Sequence, residues 1–552
     1  MEPQHSRREI LKACSLVTVA AMARSSRALS AVAAPYPVHL PNFPGLIPLP
    51  ATVKSLAQKP LLLHDGMTIR FRGPAADGQP LLAYAVEKFR QNFGVTLVPW
   101  HARALAEKVR VDLALEAGHA TDGPAWRQAE AYRLETHNAG GGVSLRATHC
   151  HGLFNGLVTL LQLAVRRQSA GVADPVWEIP AVEIDDYPRF EWRGFMLDVS
   201  RHFFDAHEVM AVLDAMASLK LNIFHWHLTD DQGWRLAIEK YPKLTDIGAW
   251  RKSVGFGFKP DASTHYNAAG QYGGFYTPAE IRGVLEFARA RHITVVPEIE
   301  MPGHCSAALH VYPELGCTGR HVPIPSHSIW KTRYAFCAGN PAVFTFLSNV
   351  LEETARLFPG PFLHTGGDEV AYSNWQNCPS CLALMKTQHI DSMPGLQGYF
   401  EKRVSDIVRK LGRSMVCWHD NPEFSPEGMI AMAWHGKSPA VGPAMAAAGH
   451  PVVPCPQGHM YFDWLPASTS VEKVYSFDPC TPGFTPKLRP LLLGSQANLW
   501  TEHVPNLSVV WERTFPRLCA AAEVFWTARG KGNWADFSGR LIGYRTPPAK
   551  SV

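Results

Sequence analysis

Long runs of one charge are missing from this 552-residue chain. Its net charge is only +5 and no Lys/Arg-rich tract occurs, so nothing supports a nucleic-acid partner. A Gly-rich loop opening a helix, the usual cradle for phosphate, is absent as well. There is no internal repeat, and no low-complexity tract beyond the Ala/Pro-rich edges. After the N-terminus no segment is apolar enough to cross a membrane, which takes ~20 residues. Cysteine is sparse at 11, with a single C-x-x-C at Cys378 and Cys381. A zinc site read from sequence wants a second such pair. The expectation at Cys378 and Cys381 is therefore a loop disulfide or free thiols, with no metal and no cofactor. A Cys317–Cys337 pairing stays open.

What is present describes an ordinary globular protein. Hydrophobic residues make up 46% and charged residues 18% of the chain, enough to fill a large core. The length exceeds one ordinary domain unless part of it is a large barrel. Residues 1–33 combine Arg7-Arg8, the short apolar stretch ACSLVTVAAMA and the small-residue site Ala31-Val32-Ala33. This resembles a twin-arginine export signal cleaved near Ala33, which places the mature chain in the periplasm or outside the cell. Cys14 stands at the start of the apolar stretch and not after it, which argues against a lipoprotein anchor.

Two regions follow. Residues 35–185 mix short strands (VRVDLALEAG, AYRLETHNAGG, GVSLRATHC) with helical spacing over 81–94 and 151–167, the pattern of a small α+β domain. Residues 186–545 change character. Eight apolar strand-like runs start at Trp192, Asn222, Ile293, Pro361, Ser414, Met429, His450 and Leu491. Amphipathic helices over 205–220, 277–292, 342–358 and 396–412 separate the earlier ones. One helix is expected over 509–526, and a Pro-rich loop, 464–489, stands where a seventh helix would be. Alternation of this kind predicts an α/β fold, a (β/α)8 TIM barrel preceded by the small α+β domain.

Such barrels build their sites at the C-terminal strand ends. Polar and aromatic residues collect there along the whole sequence: Arg201, Asp230, Asp231, Glu300, His304, Asp368, Glu369, Trp418, Trp434, Tyr461, Asp463, Trp500 and Glu502. Flat apolar faces mixed with carboxylates and a guanidinium suit a pyranose ring and its hydroxyls. The fourth run ends in HTGGDEV (364–370), which sets two acids side by side. Glycosidases with two working carboxylates hold them ~5 Å or more apart across the scissile bond. Adjacent acids better suit a substrate that carries its own nucleophile, a 2-acetamido group, with one acid for the leaving oxygen and one for the acetamido nitrogen. The glycines would let the backbone aim both.

At this point the chain resembles the family 20 glycoside hydrolases, the β-N-acetylhexosaminidases. The resemblance rests on RGFMLDVSRHF (193–203), LNIFHWHLTDDQGWR (221–235), PEIEMPGH (297–304), HTGGDEV (364–370) and NLWTEHV (498–504). The stretch before 185 looks like that family's small N-terminal domain. The resemblance implies an exo-acting, retaining enzyme that needs no metal and acts on an oligosaccharide or glycoconjugate glycan. It implies Glu369 as general acid/base, protonated at the start, and Asp368 orienting the acetamido group. Tyr461 would bond the acetamido oxygen, and Trp418, Trp434 and Trp500 would line the pocket. Arg201 would take the 3- and 4-hydroxyls, and Asp463 and Glu502 the 4- and 6-hydroxyls. Asp230 and His304 would form a network behind the acid. Two other readings stay open: a metal-dependent barrel hydrolase using His225 and His227, and a catalytically silent sugar-binding protein.

Overall fold

The computed structural model describes residues 43–100, 110–116, 122–137, 142–167, 176–326, 334–418, 424–435 and 440–545. The export-signal expectation, residues 1–33, lies outside them.

The small N-terminal region is built on a seven-stranded mixed sheet. Its spatial order is Thr52–Ser55, Val182–Asp186, Tyr132–His137, Gly142–Ala147, Val111–Leu115, Thr68–Arg72 and Val98–Pro99. Alternation makes these strands two-faced: Gly142–Ala147 buries every second residue. Helices Ala75–Phe93 and Cys150–Leu163 pack on the sheet and on each other, with the Tyr84 and Phe154 rings 4.8 Å apart. The helix expected over 151–167 stops at Leu163. Ala164 turns extended, and Val165–Arg167 pairs antiparallel with Val176–Ile179. Strand pairing has overridden the apolar periodicity there.

The barrel follows. Its strands are β1 (Trp192–Asp198), β2 (Ile223–His227), β3 (Thr294–Met301), β4 (Phe362–Gly366), β5 (Ser414–Cys417), β6 (Ile430–Ala433), β7 (Val452–Pro454) and β8 (Gly494–Leu499). All neighbours run parallel. Leu493 N–H donates to the Val452 carbonyl at 3.0 Å and brings β7 against β8, closing the circle. The strands are near-continuous apolar runs because both faces are covered.

Helix starts are set by caps. Helix α1 (Ala206–Ser218) begins with a reciprocal Asp205/Glu208 capping box, and α2 (Pro278–Arg289) with Thr277/Glu280. Asn340 and Ser392 cap α3 (Pro341–Leu357) and α4 (Met393–Lys410). Only a short helix, Val471–Ser476, interrupts the expected loop 464–489. The single helix expected over 509–526 is two, Leu507–Thr514 and Arg517–Trp526. Pro516 is the cause: it has no N–H to give and it drives Phe515 extended.

Buried ion pairs fasten the two regions together at the N-terminal ends of the strands. Arg193 on β1 binds Glu130, and Lys220, just before β2, reaches Asp186 at 2.9 Å with both side chains fully buried. The opposite barrel end stays free for a site.

Candidate active site

The site rests on a charged hub inside the barrel. Glu298 on β3 takes His225 at 2.9 Å, His364 at 2.8 Å, the Trp418 indole N–H at 2.7 Å and His227. These groups lie at hydrogen-bonding distance and form one directly bonded hub. Burial opposes charge on Glu298, but His227, His364 and His225 hold its carboxyl well below the usual range. His227 bridges onward, its Nε2 lying 2.9 Å from Asp230 Oδ2. Burial would lower its pKa, yet Glu298 and Asp230 raise it well above the ordinary imidazole value.

Asp230 passes the chain to the mouth. Its Oδ2 meets Arg201 Nη2 at 2.8 Å and its Oδ1 meets His304 Nδ1 at 3.2 Å. Arg201 is further fixed by Asp198 at 3.1 Å and Gln232 at 2.9 Å, with Glu502 at 3.9 Å. His304 Nε2 then faces Asp368 at 3.7 Å and Glu369 at 3.9 Å. Burial acts against its proton, but the Asp230 and Asp368 carboxylates hold His304 well above the ordinary value.

The two acids do not share an environment. Strand β4 ends at Gly366, so Asp368 and Glu369 lie beyond it and the alternation rule no longer applies. The Asp368 side chain is 13% exposed and that of Glu369 37%. Burial pushes the Asp368 carboxyl up to about 7, against the pull of His304. Its Oδ1 and His304 Nε2 are buried without a hydrogen-bond partner among the described residues. Such atoms at a strand end await a ligand. Beneath them Glu300 is buried, its carboxyl pushed well above the usual range by burial and by Asp368 and Glu298.

The glycine pair has a steric cause. Gly366 has φ +67°, and a Cβ there would sit 1.8 Å from Glu300 Oε2; at Gly367, φ +105°, it would meet Cys417 Sγ at 2.3 Å. Glu369 and His304 themselves take left-handed backbone, φ 49° and 47°, a form of strain that collects at functional sites. Gly366→Ala is therefore expected to cost more than ~1 kcal/mol of stability and most of the activity. A urea titration with parallel rate assays checks this.

Aromatic walls complete the end. The Trp500 ring lies 4.9 Å from His227, 5.8 Å from Trp418 and 6.2 Å from Tyr461, with Arg201 over it at 4.9 Å. Trp418 is a floor residue, almost fully buried. Trp434 follows β6 and stacks on His435 at 4.0 Å. Asp463 accepts from Arg513 through its backbone carbonyl. Sequence reading missed Glu298, Gln232 and Asp198. The signal for Glu298 was its position two residues before Glu300, on the same inward face of β3.

A closed parallel barrel with this polar, tryptophan-walled C-terminal end has the build of a glycoside hydrolase barrel. Glycosyl hydrolase family 20 matches over both regions, its catalytic domain at residues 190–529 and its domain 2 at 43–187. The chain belongs to that family. It is 37% identical to a β-hexosaminidase of Porphyromonas gingivalis over 470 residues, covering 80% of this chain and 58% of the relative. A β-hexosaminidase of Vibrio furnissii is 35% identical, covering 69% of this chain and 63% of the relative. The chain thus spans less than two thirds of the length of these two. Among solved structures, an exo β-N-acetylglucosaminidase of Vibrio harveyi with bound N-acetylglucosamine superposes with a TM-score of 0.76 at 29% identity, covering 93% of this chain and 81% of the other. A Streptomyces plicatus β-hexosaminidase gives 0.74 at 30% identity, covering 90% and 93%.

Proposed function

We propose that this barrel end releases terminal, non-reducing β-linked N-acetylglucosamine or N-acetylgalactosamine, with the substrate's acetamido oxygen as nucleophile. The unequal burial of the adjacent acids carries the reading. Glu369, open to the mouth, protonates the glycosidic oxygen of a leaving group that departs to solvent. Asp368, buried with a free Oδ1, accepts from the acetamido N–H and balances the positive charge of the oxazolinium ring. Tyr461 donates to the acetamido oxygen. Of the other nearby carboxylates, Asp230 is committed to Arg201, His227 and His304 and Asp231 to Ser306, while Glu300 is buried beneath the pair with its carboxyl pushed well above the usual range by burial.

The sugar is held by Arg201 on its 3- and 4-hydroxyls and by Asp463 and Glu502 on its 4- and 6-hydroxyls, which closes the pocket at the non-reducing end. Trp418, Trp434 and Trp500 enclose the ring face and the acetamido methyl. The Asp230–His304 pair supplies a fixed positive group behind the acids. Water then opens the oxazolinium ring with Glu369 as base, and two inversions give net retention. The activities that name its relatives and the family match support this reading. Residues 6–33 support export, which would set the enzyme on oligosaccharides or glycoconjugates in the periplasm or medium.

Chito-oligosaccharides should lose one N-acetylglucosamine at a time from the non-reducing end. Proton NMR during turnover should show the β-anomer first. Internal cleavage, or an α-anomer as the first product, would sink the proposal.

A further inference from the structure

Away from the strand-end site, four cysteines drawn from distant parts of the sequence converge. Cys317 and Cys337 lie on two segments joined by an antiparallel bridge between Gly316 and Phe336, and Cys337 N–H donates to the Leu315 carbonyl at 2.9 Å. Cys378 is the N-cap of the helix Pro379–Thr387, and Cys381 sits in its first turn. The four sulfurs lie within 4.8 Å of one another. The separations are 3.6 Å for Cys337–Cys378, 3.7 Å for Cys337–Cys381 and 4.0 Å for Cys317–Cys381.

Those spacings discriminate between chemistries. A disulfide holds its sulfurs at ~2.05 Å. Four thiolates ~2.3 Å from a tetrahedral zinc sit about 3.8 Å from each other, the edge of that tetrahedron. The observed separations bracket the second value. Cys337, Cys378 and Cys381 are buried and Cys317 is half-buried, so the cluster is closed to solvent on most sides. It is also built with a close approach of backbones: a Cβ on Gly339 would lie 2.3 Å from the Ser380 carbonyl and 2.6 Å from Cys381 N. Only glycine lets the turn after Cys337 sit directly on the C-x-x-C turn.

We propose that Cys317, Cys337, Cys378 and Cys381 bind one structural zinc ion. All four positions are filled by protein, so no site remains for water or substrate, and the ion is a staple rather than a catalyst. Its place in the fold gives the staple a purpose. Cys378 closes the short run that leaves Glu369. Phe336, next to Cys337, donates to the Pro302 carbonyl at 2.9 Å and accepts from the Trp375 indole at 2.9 Å. The ion would therefore brace both loops that carry His304 and the Asp368–Glu369 pair. Sequence spacing concealed it, since the second pair is assembled by the fold and is not a second C-x-x-C.

The test is metal analysis of the full chain, expressed with zinc in the medium and passed through a desalting column with EDTA. About one zinc per chain is expected, released to a chromogenic chelator only on denaturation. Cys378→Ser/Cys381→Ser should lose the zinc and melt at lower temperature. Should that variant not fold, wild-type chain grown with cobalt in place of zinc should show the visible bands of a tetrahedral cobalt thiolate. Three results would overturn the proposal: peptide mapping that shows these cysteines oxidised to two disulfides, metal-free protein in which all four of these cysteines are alkylated as free thiols, or zinc retained undiminished by the double variant. Iron in place of zinc would overturn the choice of ion.

Discussion

Glu369→Gln is expected to lower kcat on an aryl β-N-acetylglucosaminide by roughly 10²–10⁴-fold, the usual worth of a general acid/base, with KM little changed. The amide keeps the size and the left-handed backbone at 369 but cannot deliver a proton. The loss should depend on the leaving group. A dinitrophenolate departs without protonation, so for that aglycone ring closure survives and only the later attack of water is slowed. Added azide, which needs no general base, should restore that second step and yield the β-glycosyl azide. Unimpaired turnover on a poor leaving group would remove Glu369 from the reaction.

Asp368→Asn should act in two directions at once. Without the carboxylate the oxazolinium ion loses its balancing charge, and kcat should fall by ~10²–10³, the range found when one preorganised electrostatic partner is removed. The same change should stabilise the fold. Folded Asp368 keeps its proton up to about 7, whereas the free carboxyl loses it near 3.8. Between those values the folded state binds the extra proton, so the wild type loses stability as pH rises through the window, by up to about 1.4 kcal/mol per pH unit. Asn carries no such penalty. The two proteins should melt alike near pH 4, diverge through neutrality with the variant higher, and run parallel above. A variant that melts lower at pH 8 would show that Asp368 is not held neutral by burial.

Much of this was legible beforehand because the strands are uniform apolar runs and the functional groups stand at their ends. What was hidden has a common cause. Glu298 looks like an isolated charge in a core strand until the fold brings His225, His227, His364 and Trp418 to it from three other strands. The sequence of HTGGDEV suggests two unequal acids, but the reason for its glycines lies elsewhere in the chain: Glu300 and Cys417 already occupy the space a side chain would need. The break at Pro516 and the strand at Val165–Arg167 were lost to apolar periodicity, which cannot see a missing amide or a pairing partner.

Substrate assistance is the centre of the account, and inhibition by the thiazoline analogue of N-acetylglucosamine addresses it most directly. That compound carries the closed five-membered ring with sulfur in place of the acetamido oxygen. The account predicts competitive inhibition at least ~10²-fold tighter than by N-acetylglucosamine itself, as befits a mimic of a high-energy state, and markedly weaker inhibition of Asp368→Asn. No inhibition at millimolar concentration, in an enzyme that turns over its substrate, would contradict it.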